Sequence, residues 1–151
     1  METSLEEQFL PIIQMIERLA SMNQLSATER IMKCAHEIMM IHRHHPLLAQ
    51  FMHSELMSPT LYGGKVVIKY ISQLSQLIQM ILMDGVASGE FKSNLNINDG
   101  TVLLIGMIDF HYIAKPFLKD LAIQSEQSEE QYFAQAIPMF LDGIIRRREH
   151  E

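Results

Sequence analysis

Histidine and aspartate in apolar surroundings are the places where this chain could do chemistry. Seven histidines occur in 151 residues, and five of them, His36, His42, His44, His45 and His53, crowd one stretch. A helix offers two metal ligands on one face only when they stand three or four positions apart, and among these five only His42 and His45 have that spacing. His45 precedes Pro46 and falls at a helix end, so a solvated or capping cluster is preferred to a metal site, and no metal or cofactor is expected. His36-Glu37 opens like a zinc-protease motif, but Ile38-Met39-Met40 follow and the second histidine is missing. The chain has neither a glycine-rich phosphate loop nor a nucleophile elbow. No catalytic residue is assigned, and the chain reads as a non-enzyme. The lone cysteine, Cys34, excludes an internal disulfide and reads as a small buried residue.

Asp109 and His111 sit in the most apolar stretch of the chain, where an unpaired charge is costly, so each needs a partner. Asp109 could pair with a basic group across a subunit interface, or either residue could orient the polar end of a ligand. A satisfied structural role is preferred to ligand contact. Two positions apart on a helix, they face different ways, so at most one points into any single cavity. Methionine is over-represented at 12 residues. Met32, Met39, Met40, Met52, Met57, Met80 and Met83 cluster in the middle of the chain, where flexible thioethers suit either a pocket that repacks around different apolar shapes or an irregular core.

The elements that must hold these residues are helices. Over residues 66–91, Val67, Tyr70, Ile71, Leu74, Leu77, Ile78 and Ile81 recur with helical period, and Gly85 and Gly89 punctuate the end. This helix follows Gly63-Gly64 and organises the rest. A first helix is predicted over residues 5–22, capped by Ser4 and bent at Pro11. The capping box Ser26-Ala27-Thr28-Glu29 starts a second that runs to about His44, apolar on most sides. A short third runs from Pro46 to Met57. A fifth is predicted over residues 100–121 with Asn98 or Asp99 as cap, and a sixth over residues 132–145, capped by Ser128-Glu129-Glu130-Gln131 and bent at Pro138. With no credible strand and no repeat, the fold class is all-α, and residues 1–151 are expected to form a single domain.

Net charge is −6, and only Arg146, Arg147 and Arg148 cluster. Without a basic face, the chain should not bind DNA or RNA well. Its acidic N-terminus is unlike a secretion signal, and its longest strongly apolar run, residues 102–108, is too short to span a bilayer, so a soluble cytoplasmic protein with no membrane partner is expected.

Asp84-Gly85-Val86-Ala87-Ser88-Gly89-Glu90-Phe91, then Asn98-Asp99 and an apolar helix containing Gly106, resembles the C-terminal half of tetracycline-repressor (TetR) family regulators. His45-Pro46-Leu47-Leu48, through Phe51 to Ser54-Glu55-Leu56, resembles that family's short middle helices. The likeness extends over essentially the whole chain. It implies an effector-binding and dimerisation domain whose last two long helices form a four-helix bundle with a second copy. The family's N-terminal helix-turn-helix is missing: Leu61-Tyr62-Gly63-Gly64-Lys65 superficially resembles the end of its recognition helix, but no DNA-reading helix pair precedes it. The chain is then either part of a longer regulator or a stand-alone sensor.

The leading expectation is therefore a ligand-sensing domain of a TetR-type repressor, a homodimer that reaches DNA only through the missing module and responds allosterically to a small hydrophobic effector. Met39, Met40, Phe51, Tyr70, Leu74, Met107, Phe110 and His111 are the candidate ligand contacts, chosen for size and face. Val102, Ile105, Gly106, Asp109, Phe133, Ile137, Phe140, Leu141 and Ile144 are the candidate dimer interface, because the last two helices carry more apolar surface than one subunit covers. The alternatives are a helical protein-interaction module without a ligand and a histidine-rich metal carrier.

Overall fold

Ser26 begins the second helix as its capping box requires: its hydroxyl accepts from the Glu29 amide at 3.1 Å. The structure, a computed structural model, describes residues 5–117 and 129–147. The described residues form α1 (Leu5–Ala20), α2 (Ala27–His44), α3 (Leu48–Met57), α4 (Leu61–Ala87), α5 (Ile97–Ala114), a 3-10 turn over Lys115–Phe117, and α6 (Glu129–Ile144). The only extended pairing among them is an isolated antiparallel bridge between Phe91 and Ile145. The fold is all-α.

α4 is the hub. It packs against α1, α2, α3 and α5, while α6 lies against α2. Its Leu74, Ile78, Ile81 and Leu82 are fully buried, meeting Ile12 and Met15 of α1, Ile31, Cys34 and Ile38 of α2, and Leu104 and Ile108 of α5. Each such aliphatic side chain contributes about 1.5–3 kcal/mol by leaving water, which is what fixes α4 at the centre. By length and composition α4 is also the one described helix able to cross a bilayer. Here its apolar face is the core.

Several boundaries differ from the sequence reading. α4 starts at Leu61 and runs through Gly63-Gly64, because Thr60 caps it by accepting from the Gly63 amide at 3.1 Å and Glu55 in turn accepts from the Thr60 amide at 2.8 Å. This double cap outweighs the intrinsic cost of glycine in a helix. Leu61-Tyr62-Gly63-Gly64-Lys65 is therefore the first turn of the hub helix. Pro46 lies in the turn before α3, whose N-cap is Leu47 with no side-chain cap. Asn96 caps α5 in place of Asn98 or Asp99, accepting from the Asp99 amide at 3.0 Å. α1 continues across Pro11, and α6 across Pro138. The expected caps Ser4 and Ser128 and the expected end of the fifth helix at Leu121 lie outside the described residues, as does Arg148.

The exit of α4 positions everything after it. Gly85 remains helical, and a Cβ there would stand 2.1 Å from the Phe91 ring, so glycine is required for Phe91 to fold back onto the helix. Gly89 makes the turn with φ +80°, a conformation other residues avoid. Glu90 then reaches α2: its carboxylate accepts from the Ala27 amide at 3.0 Å and the Thr28 amide at 2.9 Å. One turn earlier, Asp84 takes both terminal nitrogens of the buried Arg30 at 3.1 Å. The backbone carbonyl of Glu90 accepts from the Arg146 amide, and the Lys92 amide donates to Ile144. This short stretch thus holds the start of α2 and the end of α6 at one point.

Candidate ligand groove and pairing face

α2 and α6 run side by side and leave between them an apolar groove of about 560 Å³. One wall is the stripe Met32, Ala35, His36, Met39 and Arg43 along one face of α2; the other is Phe133, Ala134, Ile137, Pro138 and Leu141 on α6, with Ile145 beyond. Glu130 stands with Arg43 at one end, and Asp142 lies near the other end of α6. A cleft of this size, apolar inside with a few polar groups at its rim, suits a small molecule.

An ionic clamp closes the Arg43 end. Arg43 donates to Glu130 at 2.7 Å and lies 3.5 Å from Glu129, which also lies 3.5 Å from the Lys115 ammonium. The Tyr112 hydroxyl donates to the same Glu129 carboxylate. Burial and then this bond hold the Tyr112 phenol well above its ordinary range. The hydrogen bond to Glu130 is the main reason the Arg43 pKa is raised. Beside the clamp a second, more polar cleft of about 520 Å³ opens against Pro46, Ala49 and Gln50.

Behind the clamp, rings from three helices stack. His42 lies on Tyr112 at 4.0 Å and His111 on Tyr132 at 4.2 Å, with Phe133 edge-on to His111. The Tyr132 hydroxyl donates to the Met107 carbonyl at 3.1 Å. Burial lowers the His111 pKa, although Glu129 opposes it. Deeper still, His42 Nε2 faces an Asp109 carboxylate oxygen at 3.5 Å, and neither atom makes a hydrogen bond among the described residues. Burial, with the nearby charges of Asp109 and Glu37, pushes the Cys34 thiol up to about 12. The same burial, followed by Asp109, raises the Tyr70 phenol.

Among the described residues, the eight residues expected to contact ligand are not brought to one cleft. Met39 alone lines the large groove. Met40 faces a different cleft between α1 and α2, with Pro11, Arg18 and His44. Tyr70 and Leu74 are core, Tyr70 packing on Phe9 at 5.3 Å, and half-buried Phe51 meets Phe9 from another side. Met107 and His111 belong to the ring stack, and Phe110 is exposed. Sequence reasoning missed the rest of the groove, including Arg43, although the α2 stripe was visible once paired with Phe133, Ile137 and Leu141. Of the methionines, Met32 and Met39 reach the groove, Met52 is core, and Met57 and Met83 are exposed.

The residues expected to pair subunits divide in two. Asp109, Phe133, Ile137, Leu141 and Ile144 are buried within the chain: Asp109 because His42 sits opposite it, the others because they face α2 or the core. Val102 and Gly106 are exposed, and Ile105 and Phe140 are half-buried. Outside the expected set, Leu103, Phe110 and Met139 are also exposed. On α5, Val102 at 70%, Leu103 at 63% and Phe110 at 64% exposure make an apolar face centred on Gly106, the kind of contiguous patch a monomer seldom leaves in water. The histidines do not converge. His42 turns inward, His44 bonds the Met40 carbonyl, His45 ends α2, and no group of three possible metal ligands occurs among the described residues.

Comparison with curated proteins returns no match. The family model described as "Tetracyclin repressor-like, C-terminal domain" matches residues 27–114, from the first turn of α2 to the end of α5. That span holds the hub helix, the Asp84 to Phe91 junction and the α5 face, and it is more than half of the chain. A family of regulatory rather than enzymatic domains agrees with a structure whose polar groups serve caps, clamps and ring stacks. The chain therefore belongs to the tetracycline-repressor-like C-terminal domains of transcription regulators.

Proposed function

We propose that this domain senses a small, mostly apolar molecule in the groove between α2 and α6 and pairs with a second copy through the outer faces of α5 and α6. The observation that carries the proposal is that α6 presents apolar side chains both to the groove and to the exterior. Its Phe133, Ile137 and Leu141 wall the groove, while Met139, 74% exposed, points away from it. Filling the groove pushes on a helix whose other side meets the partner subunit. A ligand that prefers one placement of α6 shifts the population of dimer geometries, and with it the spacing of DNA-binding modules carried by the regulator. The sign of the response, repression relieved or imposed, follows from which geometry fits the operator.

The test has two arms. Sedimentation of the wild type should give a dimer, and Phe110→Glu, which places a charge in the exposed α5 face, should give a folded monomer. Thermal unfolding against a panel of apolar compounds should find binders that raise Tm; at a hundredfold excess over Kd the stabilisation is about 2.7 kcal/mol. Ile137→Trp, which fills the groove, should abolish that shift. A monomeric wild type would favour the second reading, a module whose exposed α5 face docks a different helical protein, because that apolar face is present under both readings.

A further inference from the structure

We propose that the ligand is an amphipathic carboxylic acid, its apolar body lying along the α2/α6 groove and its carboxylate taken by Arg43. The inference rests on the groove being the sensing site and adds the chemistry of the head group. The groove is polarised. Arg43, paired with Glu130, stands at one end and Asp142 towards the other, with Met32, Ala35 and Met39 and the imidazole of His36 on the α2 wall between. An anionic head is attracted to the first end and repelled by the second, which fixes the direction in which the molecule lies.

Arg43 has capacity for such a head. A guanidinium carries five N–H donors in a planar fork that matches a carboxylate. Here one nitrogen bonds Glu130 at 2.7 Å, and the approach to Glu129 is only 3.5 Å, too long for a charge-assisted hydrogen bond. Glu130 is largely exposed, and an ion pair of that kind is weak and readily exchanged. A ligand carboxylate tethered to a buried body competes from a high effective concentration and displaces it. Lys115, already on Glu129, keeps a second cation close to the exchange. The exchange releases the Glu130 half of the contact between α2 and the first turn of α6, so head-group recognition and the movement of α6 become one event.

Calorimetry with decanoate, 1-decanol and decylamine, three probes with the same apolar body, tests this below their aggregation concentrations. Decanoate should bind tightest. Arg43→Gln should weaken decanoate about tenfold, the scale of a lost charge-assisted contact, and weaken 1-decanol far less. Glu130→Gln removes the competing carboxylate and should tighten decanoate several-fold, a gain that general damage to the fold does not produce. Equal binding of the three probes, or equal weakening of all three by Arg43→Gln, would overturn the head-group assignment and leave the groove intact as an apolar site. If no probe binds wild type and Ile137→Trp changes nothing, the sensing groove fails as well, and the assignment with it.

Discussion

Replacing Glu90 with alanine should loosen the α2 wall of the groove, while the backbone bond from the Arg146 amide to the residue-90 carbonyl is kept. The carboxylate accepts two amides at the start of α2, from Ala27 at 3.0 Å and Thr28 at 2.9 Å. Ala27 is buried, so its amide would lose its partner with no water to replace it, costing about 1–3 kcal/mol. Thr28 is half-exposed and recovers part of its loss from solvent, while removing the negative charge from the helix N-terminus costs a further ~0.3–1 kcal/mol. The sum is about 3 kcal/mol, which for a domain of this size lowers Tm by roughly 6–12 °C. Glu90→Gln keeps one acceptor oxygen and should cost about half as much. Burial pushes the Glu90 carboxyl up, but hydrogen bonds from Thr28 and Ala27 prevail and hold its pKa below the ordinary 4.5. Its contribution is therefore complete above pH 4.5 and disappears as pH falls through the lowered folded value. Circular dichroism melts at pH 7 should show the full gap between wild type and Glu90→Ala, and the gap should close on acidification below 4.5. A variant within about 0.5 kcal/mol of wild type at pH 7, or a gap that widens in acid, would refute the capping argument.

Two further outcomes follow from the buried groups. Cys34, its thiol pushed up to about 12, should resist iodoacetamide in the native protein at pH 8 and become labelled only as the chain unfolds, as followed by mass spectrometry. Labelling in step with a free thiol peptide would contradict its burial. His111, lowered from 6.5 mainly by burial, binds its proton later than the unfolded chain does, so stability should fall as pH drops below 6.5. His111→Phe should flatten that part of the denaturant-midpoint profile between pH 7.5 and 5, and an unchanged slope would show that the histidine does not carry it.

Local chemistry was legible where the residues concerned lie close together in the chain. Ser26 and Glu29 are three apart, and the cap forms as read; the glycine-rich exit of α4 also lies where expected. The failures arose where a local signal had a rival or a partner elsewhere. Asn96, Asn98 and Asp99 can each cap a helix, and the spacing alone did not select among them. Gly63-Gly64 reads as an interruption until Glu55 and Thr60 are seen to cap the turn that contains them. Two of the expected ligand contacts, Tyr70 and Leu74, were placed on the hub helix for size and period, but both point into the filled core, and the cleft of about 290 Å³ that α4 borders is lined from α4 instead by Gln73, Gln76, Leu77 and Met80. The groove belongs to α2 and α6, which lie far apart in the chain, and their meeting depends on the return of Phe91 and the bridge to Ile145. Asp109 was expected to need a partner, and the group that faces it, 3.5 Å away, is His42 of the same chain.

The Phe91 to Ile145 bridge and the Arg43 clamp together make α6 a beam held at both supports. One support is backbone pairing at its last residues; the other is ionic, at Glu129 and Glu130. Between them lies Pro138, which lacks the amide that would tie it to Ala134, so the helix is softest at midspan. Ala134 and Pro138 are both groove-lining residues. A beam with supported ends and a compliant centre responds to load by bowing, and on the proposed sensing role the load is the ligand in the groove. On that proposed role the outward displacement is greatest near Met139, on the side of the helix turned away from the groove, so a change in groove volume is delivered as curvature at the outer face, while the backbone-paired end stays in place.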